Sequence, residues 1–362
     1  MKIQNQIKKL LILEWLSSFR LGGSVWVLLL AVRGFSLAQI GLAEGVFHLV
    51  SLCGELPSGL AADLLGRRRV LAASQCAQAL SALVMLFSRG MTGVLLSMAL
   101  SALGYNLASG TREAMTYDSL AQAGREEDYL ALSARQNVVF RLGKTLGTLF
   151  AGPAAVLGFQ ISYAADVLLS LAGMMAALSL AEPTRSGSES GCEEVPCSLS
   201  RHVSATARFL LESPAAVGLM LFNALVGALA TLLGFYLQSR LPEAGAPSVL
   251  LGPLLLLTGL GGAAGSRLAV CLSGCARGLA RCICALAVGA GCLLVAGGQV
   301  PLIVLGGFLA TLGDDALELH SDAILQQAFP GAQRATLASV SSLCFSLIMV
   351  VLSPVGGLLV GG

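Results

Sequence analysis

The sequence predicts an all-α integral membrane protein. Three observations carry that expectation. Of the 362 residues, 56% are hydrophobic and only 12% are charged, about half the charged share of a soluble domain, and the mean hydropathy is +0.81. Long windows without a single Asp, Glu, Lys or Arg recur along the chain, among them 70–88, 90–111, 213–239 and 335–362. The cations are also unevenly spread between the loops on the two sides of such a helix array. A soluble globule of this length needs far more polar surface to cover its core. The net charge of +2 supplies no basic field for nucleic acid. A soluble enzyme, a nucleic-acid binder and a disordered scaffold are all excluded.

A helix needs about 20 apolar residues to cross ~30 Å of hydrocarbon, and eleven stretches meet that length. The first, 10–32, follows the basic start MKIQNQIKKLL. It runs on through Trp26 without a small-residue cleavage site, so it is expected to stay in the protein. The second, 36–62, and the third, 70–88, flank a short basic loop. The fourth covers 92–116, the fifth 133–157 and the sixth 158–181. The seventh, 214–238, and eighth, 247–270, are almost free of charge. The charge-free run 282–313 is split by GGQVP at 297–301 into the ninth span, 279–297, and the tenth, 300–323. The eleventh is 334–360. The 43 glycines suit such an array, because small residues let membrane helices approach closely.

Placing the N-terminus in the cytoplasm puts sixteen of the 22 Lys and Arg residues on that side and three, Arg33, Arg89 and Arg240, on the other. The remaining three, Arg20, Arg141 and Lys144, lie within spans. This is the asymmetry that the positive-inside rule demands. Residues 1–181 form a first bundle of six spans, and the Ser- and Glu-rich stretch 182–213 reads as a cytoplasmic linker. From Ser200 to Leu211 that stretch is equally readable as a short amphipathic helix or as plain linker. Residues 214–362 form a second bundle of five spans. The halves look related, since Asp118, Arg135 and Gly152-Pro153 follow the fourth span in the order that Asp322, Arg334 and Ser353-Pro354 follow the tenth. A duplicated helical bundle with a central linker is a transporter plan.

Between the second and third spans lies GLAADLLGRRRVL, residues 59–71. It resembles the signature loop of the major facilitator superfamily, G-x-x-x-D-x-x-G-R-[RK]. Gly59, Asp63, Gly66, Arg67 and Arg68 match, while Leu64 stands where the family often has a cation. The resemblance implies two pseudo-symmetric helical bundles that alternate access to a central cavity, with this loop as a cytoplasmic gate. Asp63 is expected to pair with an arginine or a helix N-terminus. The alternative is an ordinary positive-inside loop in which Arg67 to Arg69 only fix topology. A degraded counterpart, GGAAGSRLAVCLSGCARG at 261–278, follows the eighth span where the duplication places it. The run 143–153, GKTLGTLFAGP, partly resembles a Gly-rich motif associated with antiporters, with altered spacing. The family has twelve spans. Eleven are found here, and the expectation is that the peripheral twelfth is absent, by truncation or by nature.

A charge in the bilayer core costs about 2.5–3.5 kcal/mol on insertion scales, so each needs a partner or a cavity. In the second span Glu44, His48 and Glu55 share one stripe. Glu44 and His48 are equally readable as a proton or substrate site and as packing, and Glu55 as a brace for the gate. Arg20, and Arg141 and Lys144 at ~12 and ~17 Å into the fifth span, are read as three buried cations. They suggest either an anionic or carboxylate-bearing solute or internal pairing with acids such as Glu14, Glu44, Glu113 and Asp166. In the tenth span Asp314 and Asp315 are the deepest of an acidic group that continues to Glu318 and Asp322. They are candidates for proton coupling, or a charge cluster mirroring Glu113 and Asp118. The ten cysteines form neither a disulfide framework nor a metal-binding spacing. No phosphate-binding loop appears, so no ATP-driven pump, cofactor or metal is expected.

The expected function is secondary transport of a small organic solute through the cytoplasmic membrane, with proton-coupled efflux favoured and an uptake carrier as the alternative. A non-transporting sensor of the same fold is the reading from another class. The expected partners are the solute, protons and the lipid bilayer, with no nucleic acid, and the expected state is a monomer.

Overall fold

In the computed structural model, residues 3–183, 208, 210–272, 274–328 and 334–361 are described. Within them the chain is helical, with no strand among the described residues. The contacts divide it into two compact units, residues 1–187 with 357–362 and residues 188–356. Most of the expected linker 182–213, including most of the stretch 200–211 readable as an amphipathic helix or as plain linker, lies outside the described residues.

The first unit begins with α1 (Ile3–Ser18). The chain then leaves the helix, forms a 3₁₀ turn over Gly23–Val25 and resumes as α2 (Trp26–Val32). The first span is therefore two helical pieces, not the continuous helix that its composition suggested. α3 (Leu37–Leu65) starts on a capping box, in which Ser36 Oγ accepts from the Gln39 amide and Gln39 Oε1 from the Ser36 amide. α4 (Arg67–Phe87) and α5 (Met91–Ala108) follow. Gly110, with φ +70°, turns the chain from α5 into α6 (Thr111–Ala121). The fifth span is α7 (Tyr129–Leu149), which breaks at Phe150 before α8 (Ala151–Leu157), and the sixth is α9 (Phe159–Leu178).

Ten stretches of described helix are long and apolar enough to cross a membrane. α7 is not among them, because Arg135, Arg141 and Lys144 fall within its length.

α4 is the centre of the first unit, packed between α5 and α9. Its contact with α5 is a polar ladder between antiparallel helices. Ser74 Oγ donates to the Gly104 carbonyl (2.6 Å), Gln78 Nε2 to Ser101 (3.0 Å) and Ser81 Oγ to Ser97 (2.8 Å), while Ser97 Oγ returns a bond to Ser81 (2.9 Å). Burying apolar area does not drive helices together in lipid, so hydrogen bonds and close approach hold them.

The second unit is built around α13 (Val300–Ala328), which packs on α10 (Pro214–Glu243), α11 (Leu251–Leu272) and α12 (Arg277–Ala296). Small residues let it do so on two faces. A Cβ at Gly306 would lie 2.6 Å from the Gly291 carbonyl of α12, and one at Gly307 2.8 Å from the Thr258 side chain of α11. Thr311 Oγ1 donates to the Thr258 carbonyl across the α11 contact (2.6 Å). The part of α14 (Arg334–Gly361) up to Gly356 completes the unit, with Tyr236 of α10 donating to its Ser353 carbonyl. α12 differs from its counterpart by order, α4, in having packing mainly from α13. Leu286 and Leu293 on it are 71% and 77% exposed.

Two glycines of α12 separate close packing from helix propensity. A methyl at Gly291 meets the Gly306 carbonyl at 2.5 Å, whereas one at Gly289 meets nothing within 4 Å. Gly291→Ala is expected to lower the melting midpoint in detergent, by overpacking of about 1–3 kcal/mol. Gly289→Ala is expected to leave it unchanged or raise it slightly. Equal midpoints for the two variants would contradict this packing.

Candidate functional site

The gap in the first span gathers a buried polar cluster of the first unit. Breaking a helix in a membrane frees backbone amides that no water can satisfy, and they must be bonded inside the protein. Asp166 of α9 does this. Its Oδ1 accepts from the Leu21 amide (2.7 Å) and its Oδ2 from the Gly23 amide (2.8 Å).

Arg20, in the gap itself, balances that carboxylate and is bonded on several sides. Its guanidinium donates to the Ser17 carbonyl (3.1 Å), the Asp166 carbonyl (3.2 Å), Ser170 Oγ and Gln75 Oε1 (3.3 Å). Gln75 of α4 is 3% exposed and passes the link on through Nε2 to Ser17 Oγ (2.8 Å). α7 closes the other side, because Gly143 and Gly147 have no side chain to collide with Ser18 and the Arg20 carbonyl. Arg20 and Asp166 are thus brought together, and the structure uses both to hold the broken span.

Arg141 and Lys144 are not in this cluster. The expectation of three buried cations is corrected, because Arg141 and Lys144 are exposed. Their helix turns Gly143 and Gly147 toward the gap, and neither cation lies on that face. In the second span Glu44 and His48 form an i,i+4 contact at 3.2 Å and are 6% and 7% exposed.

At the far end of the first unit lies the gate-like loop. Gly66, at φ +88°, is the hinge between α3 and α4, in a conformation that L side chains rarely adopt. The first amides of α4 are capped from a distance, with Glu182 Oε1 accepting from Arg67 (2.7 Å) and Oε2 from Arg68 (2.9 Å). The side chain of Arg67 pairs with Asp118 and donates to the Ala114 carbonyl (2.7 Å), which ties the loop to α6. Arg68 is exposed. Gly59 lies within α3, and Asp63, expected to make the carboxylate contact, has a side chain outside the described residues. Glu182 was not foreseen, because it stands at the edge of a stretch that reads as linker. A second brace, Glu14 to Arg112 at 2.8 Å with Glu14 2% exposed, joins α1 to α6.

In the second unit Asp314 and Asp315 are half-buried on α13 and face different neighbours. Asp314 Oδ1 lies 3.3 Å from where a Cβ of Gly227 in α10 would stand, and Asp315 lies against Gly262 of α11. Glu318 and Asp322, further along, are exposed. Among the described residues no group of three or more His, Cys, Asp or Glu side chains is placed to hold a metal ion.

The family described as Major Facilitator Superfamily matches residues 10–274 of the sequence. The chain belongs to the Major Facilitator Superfamily. Membership makes it a membrane transporter and not an enzyme. Solved superfamily-type structures share the fold over nearly the whole chain at low identity. The nucleoside transporter NupG is 16% identical, with a TM-score of 0.78, over 100% of this chain and 91% of its own. A bacterial homolog of the human lysosomal transporter Spinster is 17% identical, with a TM-score of 0.72, over 97% and 81%. The D-xylose-proton symporter is 13% identical, with a TM-score of 0.68, over 98% and 89%. No curated protein sequence matches. At these identities the likeness speaks for the superfamily fold alone.

Two substitutions test the braces. Asp166→Ala leaves the Leu21 and Gly23 amides without their acceptor, each a loss of about 1–3 kcal/mol, and should lower the melting midpoint in detergent far more than Ser179→Ala at the exposed end of α9. Glu182→Ala should lower it by the smaller amount expected of a lost helix cap, about 1 kcal/mol. A wild-type midpoint for Asp166→Ala would rule out the carboxylate as the support of the broken span.

Proposed function

We propose that the chain is a secondary transporter of the cytoplasmic membrane, with its N-terminus in the cytoplasm, that moves a small organic solute bearing an acidic group by alternating access. It is proposed to work as a monomer. The observation that carries the solute class is the pair of exposed cations Arg141 and Lys144, one turn apart on α7. A cation within a span that is not buried in protein cannot face hydrocarbon at small cost and belongs on a water-filled path. Arg20 and Asp166, though central, are occupied in supporting the first span, and they are assigned a positioning role.

Proton coupling is assigned to Asp314, a half-buried carboxylate in the middle of the tenth span, with Asp315 beside it. Glu44 and His48 are a second proton-exchanging pair of the same kind. The loop of Gly59, Asp63, Gly66, Arg67 and Arg68 is the gate, opened by breaking the Arg67–Asp118 pair. Export is the preferred direction, supported by the antiporter-like glycines of 143–153. Uptake by proton symport is the second reading.

The test is counterflow and pH-gradient-driven flux in proteoliposomes, with a panel of carboxylate-bearing solutes and their amides. Acid forms are expected to be carried at least tenfold faster than the amides, and the double variant Arg141→Gln, Lys144→Gln is expected to erase that preference. Asp314→Asn should keep counterflow and lose acceleration by the gradient. The direction of the gradient that accelerates flux decides between export and uptake. Equal rates for acids and amides would refute the solute class, and flux blind to any imposed gradient would refute the coupling.

A further inference from the structure

The cations at the end of the first unit remote from the gate are few, and two of them share one cavity. The cavity holds about 850 Å³ and is lined by Arg33, from the end of the first span, by Leu86, Phe87 and Arg89 at the end of the third, and by Gln160 and Ile161 at the start of the sixth. Among the described residues no acidic one lines it. Arg33 is fixed there, since its Nη1 donates to the Ser88 carbonyl (3.0 Å) and the Met85 carbonyl (3.3 Å) at the end of α4. Arg89 is exposed, and among the described residues it forms no ion pair or hydrogen bond.

A third source of positive potential points the same way. α9 is a 20-residue helix whose first turn contributes Gln160 and Ile161 to the cavity wall. Its N-cap is Gly158, at φ +96°, with no side-chain cap. The Ile161 amide is bonded to the Gly158 carbonyl (3.2 Å), and the helix dipole offers a partial positive charge to an anion.

The rim is the opposite in character. Phe87 is 73% exposed and Ile161 60% exposed, on the ends of spanning helices. A cationic pocket opening onto an apolar rim at the end of three spans matches a phosphodiester headgroup above its acyl chains. A free anion would use the arginines and leave the rim unexplained. We infer that this cavity binds the headgroup of an anionic phospholipid, with Arg89 and the α9 N-terminus meeting the phosphate, Arg33 reinforcing the field, and Phe87 and Ile161 lying against the acyl chains. The site lies wholly within the first unit and does not depend on which solute is carried.

The test is native mass spectrometry of the full chain in neutral detergent, with phosphatidylglycerol and phosphatidylcholine of identical acyl chains added in competition. Phosphatidylglycerol is expected to be retained at least fivefold over phosphatidylcholine. Arg89→Gln should reduce that preference about fivefold, which corresponds to the ~1 kcal/mol one cation contributes near an anionic lipid surface, and Arg89→Lys should keep most of it. If Arg89→Gln does not fold, Gln160→Glu places an acid on the same wall and should give the same loss. Added inorganic phosphate at millimolar concentration should not displace the lipid. Equal retention of the two lipids, a preference that survives both variants, or displacement by phosphate would overturn the proposal, the last by making the cavity a free-anion site.

Discussion

The first unit depends on one carboxylate bonded to two backbone amides. Asp166 accepts from Leu21 and Gly23 where the first span stops being a helix. Without such an acceptor the break would leave donors unbonded in hydrocarbon, at several kcal/mol each. With it, the carboxylate needs a counter-charge, and Arg20 supplies one from the gap itself. Arg20 in turn needs acceptors for the rest of its fork, and Gln75, Ser17 and Ser170 provide them from three helices. One break thus specifies the close approach of α1, α4, α7 and α9.

The charges of the chain fall into two groups by what surrounds them. Glu14 with Arg112, Arg67 with Asp118, and the Arg20–Asp166 cluster are spent on joining helices. A group already bonded on several sides is poorly placed to take up and release a solute. Arg141 and Lys144 in the first unit are exposed instead, and Asp314 and Asp315 in the second are half-buried. The second unit reaches its compactness differently, through glycines on two faces of α13.

Most spans were legible because they are long, apolar and nearly free of charge, and the gate-like loop because its glycines and arginines stand in a fixed pattern. Arg20 and Asp166 stood out for the same reason, as charges where charges are costly. Their use as a backbone support did not, because it depends on a helix break that hydropathy cannot register. The Leu-Gly-Gly-Ser run at 21–24 was the available signal. Glu182 was hidden by its neighbours, whose composition reads as linker, and its role follows from which helix end the sixth span returns to. The ladder of Ser74, Gln78 and Ser81 against Gly104, Ser101 and Ser97 has helical spacing on both strands, yet nothing in one sequence says that two polar stripes face each other. Arg141 and Lys144 were misplaced because depth along a helix was taken for burial, and the face that a side chain occupies is decided by packing.

The support of the first span also orders events during synthesis. The Gly23 amide and its acceptor on Asp166 are 143 residues apart. When the first span leaves the ribosome its Leu21 and Gly23 amides lack the acceptor on Asp166, and they gain it only when the sixth span follows. Until then the break must lie against water, headgroups or the insertion machinery. The first unit is therefore an assembly that closes late and all together, and a chain interrupted before the sixth span would carry an unfinished first span that quality control can recognise.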